Sequence, residues 1–285
     1  MKRTLVLGAG GLAVIAWQTG VVAGLADAGV DVRGADLLIG TSAGACVAAQ
    51  ITSGLSLEML FQRQSEPRLQ THDPAPDVDA RQFVEDIAAA RGEDGGREEV
   101  LKKIGALAVR APTVSEAERR KMIAARLPIH DWPRHELQLI AVDVESGERR
   151  AFSRADGVPL VDAVAASCAV PGMWPPVTIE GRRYIDGGVY SADNADLALG
   201  ARGVLVLTLA PASPPLSVVP IEPALDSLRG AGAEVAVIRP DEATITAFAS
   251  SGGNLLDPSV RSIAARTGRA QGRLIAARLV APLWN

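Results

Sequence analysis

The segment that most constrains the fold is a serine flanked by glycines, Gly40-Thr41-Ser42-Ala43-Gly44, which separates two different sequence patterns. The apolar run Leu37-Leu38-Ile39 before it is typical of a buried strand, and the small residues 45–49 after it favour a helix. Strand, G-x-S-x-G and helix form the context of a nucleophile elbow, whose turn holds the serine in a strained backbone conformation. An ordinary glycine-rich turn is the alternative, but the flanking patterns favour a nucleophilic Ser42 at a helix N-terminus.

A second glycine cluster, Gly8-Ala9-Gly10-Gly11, also lies between an apolar run and a helix-like stretch. Extended by Leu12-Ala13, it matches G-x-G-x-x-A, a dinucleotide-binding pattern that needs an acidic residue at the end of the second strand. That strand runs directly into the serine turn, and Asp31 and Asp36 stand before it or at its start. We therefore expect the N–H groups of Gly8, Ala9, Gly10 and Gly11 to form an oxyanion hole facing Ser42.

The choice of base for Ser42 is limited by the histidines, of which the chain has three: His72, His130 and His135. A Ser–Asp–His hydrolase order usually places its histidine late in the chain, where this sequence has none. A carboxylate is the alternative base, and Asp186, followed by Gly187-Gly188, lies in a sharp turn that would present its side chain. Burial would raise the pKa of this carboxyl and strengthen it as a base. A simple Asp-Gly turn without a catalytic role remains the other interpretation.

Short apolar runs alternate with helix-length amphipathic stretches, which predicts an α/β fold with a largely parallel sheet. Strands are expected at about 3–7, 35–39, 136–144, 148–153, 177–179, 203–209 and 234–238. Helices are expected at about 13–28, 43–53, 80–90, 97–108, 115–126, 159–167, 222–232 and 258–278. The segment from about residue 62 to about residue 127 includes polar stretches rich in glycine and proline, which predict an insertion or cap. We expect this segment to belong to a single domain of residues 1–285.

Composition and charge exclude several classes of protein. With 29 basic and 33 acidic residues, the chain has no basic excess to attract nucleic acid. Its two cysteines, Cys46 and Cys168, cannot form a disulfide framework or a metal cluster and predict buried thiols in a reducing, cytoplasmic compartment. Residues 4–26 carry no charge and imitate a signal peptide, but their glycines favour a buried strand and turn instead. The charged stretch Glu118-Arg119-Arg120-Lys121 predicts a solvent-exposed helix face.

The glycine loop, the G-x-S-x-G turn and Asp186-Gly187-Gly188, in this order, resemble the patatin-like phospholipase family. Residues 141–147 and 166–172 support the resemblance, which extends over about residues 4–210. It implies a three-layer αβα fold with a mostly parallel central sheet, and a serine hydrolase that acts on acyl esters of lipids. It further implies Ser42 as nucleophile, Asp186 as base and the loop amides as oxyanion hole, with no cofactor and no metal. Peripheral contact with a membrane would follow from such a substrate.

The chain departs from the family pattern in and just after the glycine loop, where Ala9 also replaces a common glycine. Family members usually carry an Arg or Lys in or just after the glycine loop, where this sequence has Leu12-Ala13-Val14. The missing cation supports a second hypothesis, a catalytically weak or silent relative that binds lipid or a protein partner. Met173 and Trp174 are candidates for the wall of an acyl pocket. Asp143 is a rival carboxylate, but its position before a Glu-Ser-Gly turn predicts a structural role.

Overall fold

A computed structural model describes residues 2–71, 80–92, 96–209 and 217–284 of the chain. Its sheet has the strand order β5-β6-β3-β2-β1-β7-β8, with β4 paired to β3. Pairs among β3, β2, β1, β7 and β8 are parallel, whereas β4, β5 and β6 add antiparallel pairs at one side. The strands are β1 (Arg3–Leu7), β2 (Leu37–Thr41), β3 (Leu137–Asp143), β4 (Arg149–Phe152), β5 (Val177–Ile179), β6 (Arg182–Asp186), β7 (Gly203–Leu207) and β8 (Glu234–Ile238).

Helices lie in several of the connections between these strands and after β8. They are α1 (Gly11–Asp27), α2 (Ala43–Ile51), α3 (Leu57–Ser65), α4 (Ala80–Gly92), α5 (Arg97–Arg110), α6 (Glu116–Arg126), α7 (Leu160–Ser167), α8 (Glu222–Gly230), α9 (Glu242–Ala249), α10 (Arg261–Ile275) and α11 (Ala281–Trp284). The sequence did not predict α3, α9, α11 or β6. His72 and the rest of residues 72–79 lie outside the described residues.

The sheet is buried on both faces, which gives the three-layer αβα arrangement that the family resemblance implied. Successive side chains of a strand point to opposite faces. Accordingly Leu5 and Leu7 of β1 join a core shared with α1, α2, α7 and α10. Val6, between them, joins a second core with Leu225 and Leu228 of α8 on the opposite face. The mostly parallel central sheet flanked by helices is therefore confirmed.

The uncharged residues 4–26 form most of β1 and α1, which lie in the centre of the molecule. Every residue of α1 from Leu12 to Leu25 is buried, which explains why this stretch carries no charge. The helix α10 crosses α1 through glycines on both helices; a Cβ on Gly24 would lie 2.1 Å from the Arg269 carbonyl oxygen. Of the helices in the described ranges, none combines the length and apolar character that a membrane span requires.

The segment between α3 and β3 contributes to two parts of the molecule. Ile87 of α4 and Ile104 of α5 pack with Val142 and Ile185, at the antiparallel side of the sheet. Helix α6 instead contacts α7 and extends toward the edge of the sheet at which the glycine loop and Ser42 lie. A separate insertion at residues 62–127 within one domain stays a prediction.

Candidate active site

The strand order places the two glycine motifs side by side. Strands β1 and β2 are parallel neighbours, with Leu7 opposite Gly40, so the loop after β1 and Ser42 after β2 lie at the same edge. The chain adds β2 and β3 on one side of β1, and β7 and β8 on the other. In parallel α/β sheets, ligands bind beyond the carboxyl ends of strands at such a reversal of order. The topology thus identifies this edge as the candidate site.

Ser42 occupies a strained turn between β2 and α2. Its φ of 55° and ψ of −114° are unusual for a residue with a side chain. The flanking glycines permit the turn, because a Cβ on Gly44 would lie 1.9 Å from the Leu7 carbonyl oxygen and one on Gly40 would lie 2.7 Å from Ala45 Cα. The Ser42 N–H donates to Ser167 Oγ at 2.9 Å, which ties the turn to α7. The side chain therefore stands at the N-terminus of α2, where the helix dipole favours negative charge.

Asp186 reaches the same region from β6. This strand pairs antiparallel with β3, and Asp186 lies opposite Ala141. One carboxylate oxygen, Oδ1, accepts the Gly188 N–H at 2.7 Å. Gly187 is required by close packing, because a Cβ there would lie 2.3 Å from the Ile140 carbonyl oxygen. The Asp-Gly-Gly turn thus presses against β3 and holds the carboxyl in the interior, where Asp186 is 3% exposed.

Burial raises the pKa of Asp186 to about 7, against the opposing effects of hydrogen bonding by the Ser42 side chain and the Gly188 N–H. Ser42 and Asp186 are therefore neighbours. Within the described part of the chain, Asp186 Oδ2 accepts no hydrogen bond of standard geometry. A carboxyl with this pKa is ionised and protonated in similar amounts at neutral pH.

The glycine loop has fewer available donors than the sequence suggested. The Gly8 N–H donates to the Leu207 carbonyl at 2.9 Å, and the Ala9 N–H donates to the Ala192 carbonyl at 2.8 Å. Both groups thus already have acceptors within the fold, and their place in an oxyanion hole stays a prediction. Gly10 and Gly11, with φ of 149° and 73°, follow at the start of α1. Their N–H groups donate to no acceptor among the described residues, which leaves them as the loop's candidates.

The loop is held by buried polar groups that were not predicted from the sequence. The Gly8 carbonyl accepts the Gly44 N–H at 3.1 Å and Gln18 Nε2 at 3.0 Å, so it links the loop, the serine turn and α1. Asp193 is fully buried beside it; a Cβ on Gly8 would lie 2.3 Å from Asp193 Oδ1. Burial raises the pKa of Asp193 to about 6, although the Thr208 side chain lowers it. The sequence does indicate a buried polar role for Gln18, because this polar residue lies within an apolar stretch.

A pocket opens beside Ser42, and its wall includes Gly11, Trp174 and two arginines of α6, Arg119 and Arg126. Both arginines are buried, with 3% and 6% of their surface exposed. The prediction of a solvent-exposed face at residues 118–121 is therefore wrong for Arg119. This residue points inward, while its neighbours Arg120 and Lys121 are exposed to solvent. Of the two residues expected at an acyl pocket, Trp174 lines this one. Met173 instead packs against the apolar cluster around α4 and α5.

The chain matches the family model of patatin-like phospholipases over residues 5–199. It belongs to the patatin-like phospholipase family. The match covers β1 to the segment before β7 and thus includes the glycine loop, Ser42 and Asp186. Among curated proteins, none matches the chain.

Solved structures similar to this patatin-like chain include VipD from Legionella pneumophila, at 12% identity and a TM-score of 0.48. The match covers 97% of this chain and 66% of VipD. ExoU of the Pseudomonas aeruginosa type III secretion system, solved with SpcU, matches at 16% identity and a TM-score of 0.38. That match covers 96% of this chain and 53% of ExoU, so the chain spans about half to two thirds of the length of these proteins.

The other candidate residues of this patatin-like chain lie apart from Ser42 or have structural contacts. His130 and His135 are exposed in the loop between α6 and β3. Asp143 accepts the Ser146 N–H at 2.8 Å and pairs with Arg182 at 2.6 Å, contacts that support its predicted structural role. In the described ranges, no group of three or more His, Cys, Asp or Glu side chains is arranged to hold a metal ion.

The two cysteines are buried and unoxidised, and their sulfurs are 3.6 Å apart beneath the serine turn. Cys168 Sγ donates to the Ser42 carbonyl at 3.1 Å, and an Arg126 Nη1–H contacts Cys46 Sγ at 3.6 Å. The prediction that both are buried thiols is confirmed. The contact with the Cys168 sulfur and the positive charge of Arg126 lower the pKa of Cys46.

Proposed function

We propose that the chain hydrolyses carboxylic esters of lipids, with Ser42 as nucleophile and Asp186 as general base. One observation carries the proposal: Ser42 stands in a strained turn at a helix N-terminus, beside a buried carboxyl whose pKa is about 7. A general base works best when its pKa is near the operating pH, because it is then both ionised and basic. Membership of the patatin-like phospholipase family supports the lipid substrate.

In the proposed reaction, Asp186 accepts the proton of Ser42 Oγ as that oxygen attacks the ester carbonyl carbon. The tetrahedral intermediate then collapses, the bond to the alcohol breaks, and Asp186 returns the proton to the leaving alkoxide. A water molecule next loses a proton to Asp186 and attacks the acyl carbonyl carbon. The bond to Ser42 Oγ then breaks, Asp186 returns the proton to this oxygen, and the fatty acid leaves. No imidazolium forms in this sequence, so the developing negative charge needs stabilisation from the backbone.

The N–H groups of Gly10 and Gly11, together with the N-terminus of α2, are our candidates for that stabilisation. Gly8 and Ala9 would hold the loop in place rather than donate to the oxyanion, because their N–H groups already donate to carbonyls. The positive φ values of Gly10 and Gly11 suit glycine, which lets the loop adopt this conformation without a Cβ clash. A donor of this kind contributes on the order of 100- to 1,000-fold in kcat.

We further propose that a lipid aggregate or membrane surface presents the substrate and that contact with it is peripheral. Leu12, Val170, Trp174 and Leu256 give the pocket beside Ser42 an apolar wall suited to an acyl chain. The alternative, a catalytically silent relative that binds lipid or protein, retains support from the missing cation after the glycine loop. Activity of the purified chain separates these two functions.

The first test is hydrolysis of a p-nitrophenyl acyl ester by purified wild type and two variants. Ser42→Ala should abolish turnover, and Asp186→Asn should reduce kcat/KM by at least about 100-fold, the usual contribution of a general base. Asp143→Asn is the matched control, because it neutralises a carboxyl on the neighbouring strand that pairs with Arg182. Its activity should stay within about threefold of wild type, a margin that a loss of general-base catalysis would far exceed.

Full activity of Ser42→Ala or Asp186→Asn would sink the assignment of these residues. A folded wild-type protein that neither turns over the ester nor reacts with a fluorophosphonate would favour the silent relative. Circular dichroism of each variant establishes that loss of activity does not reflect loss of fold.

A further inference from the structure

The strands that carry Ser42 and Asp186 are not neighbours in the sheet. Ser42 follows β2 and Asp186 ends β6, but β3 lies between these strands in the order β6-β3-β2. Because adjacent strands are about 4.8 Å apart, β2 and β6 are separated by roughly 10 Å. The two side chains therefore meet over β3, and their separation depends on contacts that join the ends of β2 and β6 directly.

The side-chain amide of Asn194 makes such a contact. Its Nδ2 donates to Thr41 Oγ1 at 3.0 Å, on the residue directly before the nucleophile. The same Nδ2 donates to the Ser191 carbonyl at 2.8 Å and lies 3.5 Å from the carbonyl of Gly187, the residue directly after Asp186. The amide thus touches both the strand that leads to the nucleophile and the turn that follows the proposed base.

The orientation of this amide is fixed from its other side. Asn194 Oδ1 accepts Arg149 Nη1 at 3.2 Å, so oxygen and nitrogen each face groups of the matching kind. Arg149 is in turn held by a two-point ion pair with Asp196, with both contacts at 2.7 Å. Asn194 is fully buried and has a left-handed backbone, with φ of 51° and ψ of 36°, which asparagine tolerates better than most residues.

Residues 191–194 also contact the glycine loop. The Ala192 carbonyl accepts the Ala9 N–H at 2.8 Å, and the Ser191 N–H donates to the Gly187 carbonyl at 3.3 Å. This segment therefore touches the glycine loop, the strand before the nucleophile and the turn after the base. Its link to the nucleophile strand is made by the Asn194 side chain rather than by backbone, so substitution can remove that link alone.

We propose that Asn194 is a positioning residue: through Thr41 it sets the distance between the nucleophile and the proposed base. The inference rests on the proposed hydrolysis at Ser42 and assigns no contact between Asn194 and substrate. Without this link, the end of β2 can move away from the turn after Asp186. The longer distance for proton transfer should then lower the rate of the chemical step.

Replacement of Thr41 tests the link most cleanly, because valine and serine separate its methyl group from its hydroxyl. Thr41→Val keeps the shape but removes the acceptor, so it should lower kcat for the p-nitrophenyl ester at least about 10-fold, with KM changed less than about threefold. Thr41→Ser keeps the acceptor and should retain at least about 30% of the wild-type kcat. Equal kcat values for Thr41→Val and Thr41→Ser would overturn the proposal.

The pH dependence of labelling by a fluorophosphonate separates a displaced dyad from a weakened fold. Hydrogen bonding from the Ser42 side chain lowers the pKa of Asp186, so loss of this contact should raise it. In Thr41→Val and Asn194→Gly the inflection should therefore move upward by about 0.5 pH unit or more. A smaller folded fraction would reduce the labelled amount without moving the inflection. An unmoved inflection in the folded variants would overturn the proposal.

Glycine is the truncation chosen at position 194 because it adopts the left-handed backbone without strain. In a double-mutant cycle, Thr41→Val and Asn194→Gly together should lower kcat by less than the product of their separate effects, because both remove the same bond. A combined loss equal to that product would contradict a shared link. If Asn194→Gly does not fold, the comparison of Thr41→Val with Thr41→Ser decides.

Thr52→Val is the matched control. Thr52 is also buried, and its Oγ1 donates at 2.7 Å to the Ala48 carbonyl, a local contact at the far end of α2. Its kcat should stay within about threefold of wild type and its inflection within about 0.2 pH unit. A loss as large as that of Thr41→Val would indicate a general effect of removing buried hydroxyls and would contradict the positioning role.

The outcomes distinguish this inference from the proposed function. Labelling at Ser42 that depends on Asp186, with Thr41→Val as reactive as Thr52→Val, would leave the proposed function standing and refute the role of Asn194. Full activity of Ser42→Ala would refute the proposed function, and the positioning role would fail with it. Circular dichroism of each variant establishes that the compared proteins are folded.

Discussion

At the residue scale, the candidate site combines groups that are unfavourable for stability. Ser42 has a strained backbone, and Asp186 and Asp193 are buried carboxyls with raised pKa values. Such groups persist where the surrounding structure holds them, and they concentrate at functional sites. The cost of Asp186 depends on pH, because its charged form is the one that burial disfavours.

Relative to wild type, the Asp186→Asn variant should therefore be more stable at alkaline pH than at acidic pH. The folded pKa of about 7 exceeds the ordinary value of 3.8, so the folded state binds the extra proton between these values. Wild-type stability is thus lost as pH rises through this window. The difference in free energy of unfolding, Asp186→Asn minus wild type, should therefore increase by about 2–3 kcal/mol between pH 5 and pH 8. Urea unfolding of both proteins at pH 5, 6, 7 and 8 measures this difference.

Asp143→Asn is the control for this pH dependence. Hydrogen bonds from Arg182 and Ser146 lower the pKa of Asp143 despite its burial, so its contribution is complete above the ordinary pKa. The difference between this variant and wild type should accordingly stay constant from pH 5 to pH 8. A constant difference for Asp186→Asn as well would show that the carboxyl does not carry the raised pKa.

At the element scale, the position of the glycine loop depends on how α1 packs. Helix α1 starts at Gly11 and meets α10 at a crossing where Gly20 and Gly24 face Gly268 and Gly272. A Cβ on Gly272 would lie 2.3 Å from the Val21 carbonyl oxygen. The backbones of the two helices are therefore in direct contact, and the space between them cannot hold an added methyl group.

Gly272→Ala should destabilise the protein although alanine is the better helix former. Overpacking of a close contact costs about 1–3 kcal/mol, which exceeds the gain of about 1 kcal/mol in helix propensity. Gly230→Ala in α8 is the matched control, since a Cβ there meets no atom within 4 Å. It should be neutral or stabilising by up to about 1 kcal/mol. Thermal and urea unfolding should thus show a loss of stability for Gly272→Ala and none for Gly230→Ala. A neutral Gly272→Ala would refute the close crossing.

At the scale of the whole molecule, the alternation of elements predicted an α/β fold with a largely parallel sheet, because the parallel strands are short apolar runs. The three-layer αβα arrangement was implied by the family resemblance. The first and second glycine motifs were found from their strand and helix context alone. Strand β6 was missed because Arg182-Arg183 open it, and its pairing with β3 comes from residues about 40 positions apart in the chain. Contacts of this kind depend on the assembled sheet rather than on local pattern.

The inward-facing arginines illustrate the same limit at the site. Arg119 lies among charged residues, so local composition indicates an exposed helix, and only the packing of α6 on α7 places it in the pocket. The loop donors were also assigned from sequence without knowledge of their partners. Hydrogen bonds of Gly8 and Ala9 to Leu207 and Ala192 join segments that are far apart in sequence. Sequence could thus identify the candidate nucleophile and base, but not the groups that surround them.

The most direct test of the central claim is the pH dependence of covalent labelling of Ser42 by a fluorophosphonate, followed by intact mass and peptide mapping. We expect a single label on Ser42, whose rate rises about 10-fold per pH unit below 7 and levels above it, as a base with a pKa of about 7 requires. In Asp186→Asn the rate should be at least about 100-fold lower and lose this dependence. Labelling at another residue, or an equal rate in wild type and Asp186→Asn, would contradict a Ser42–Asp186 dyad.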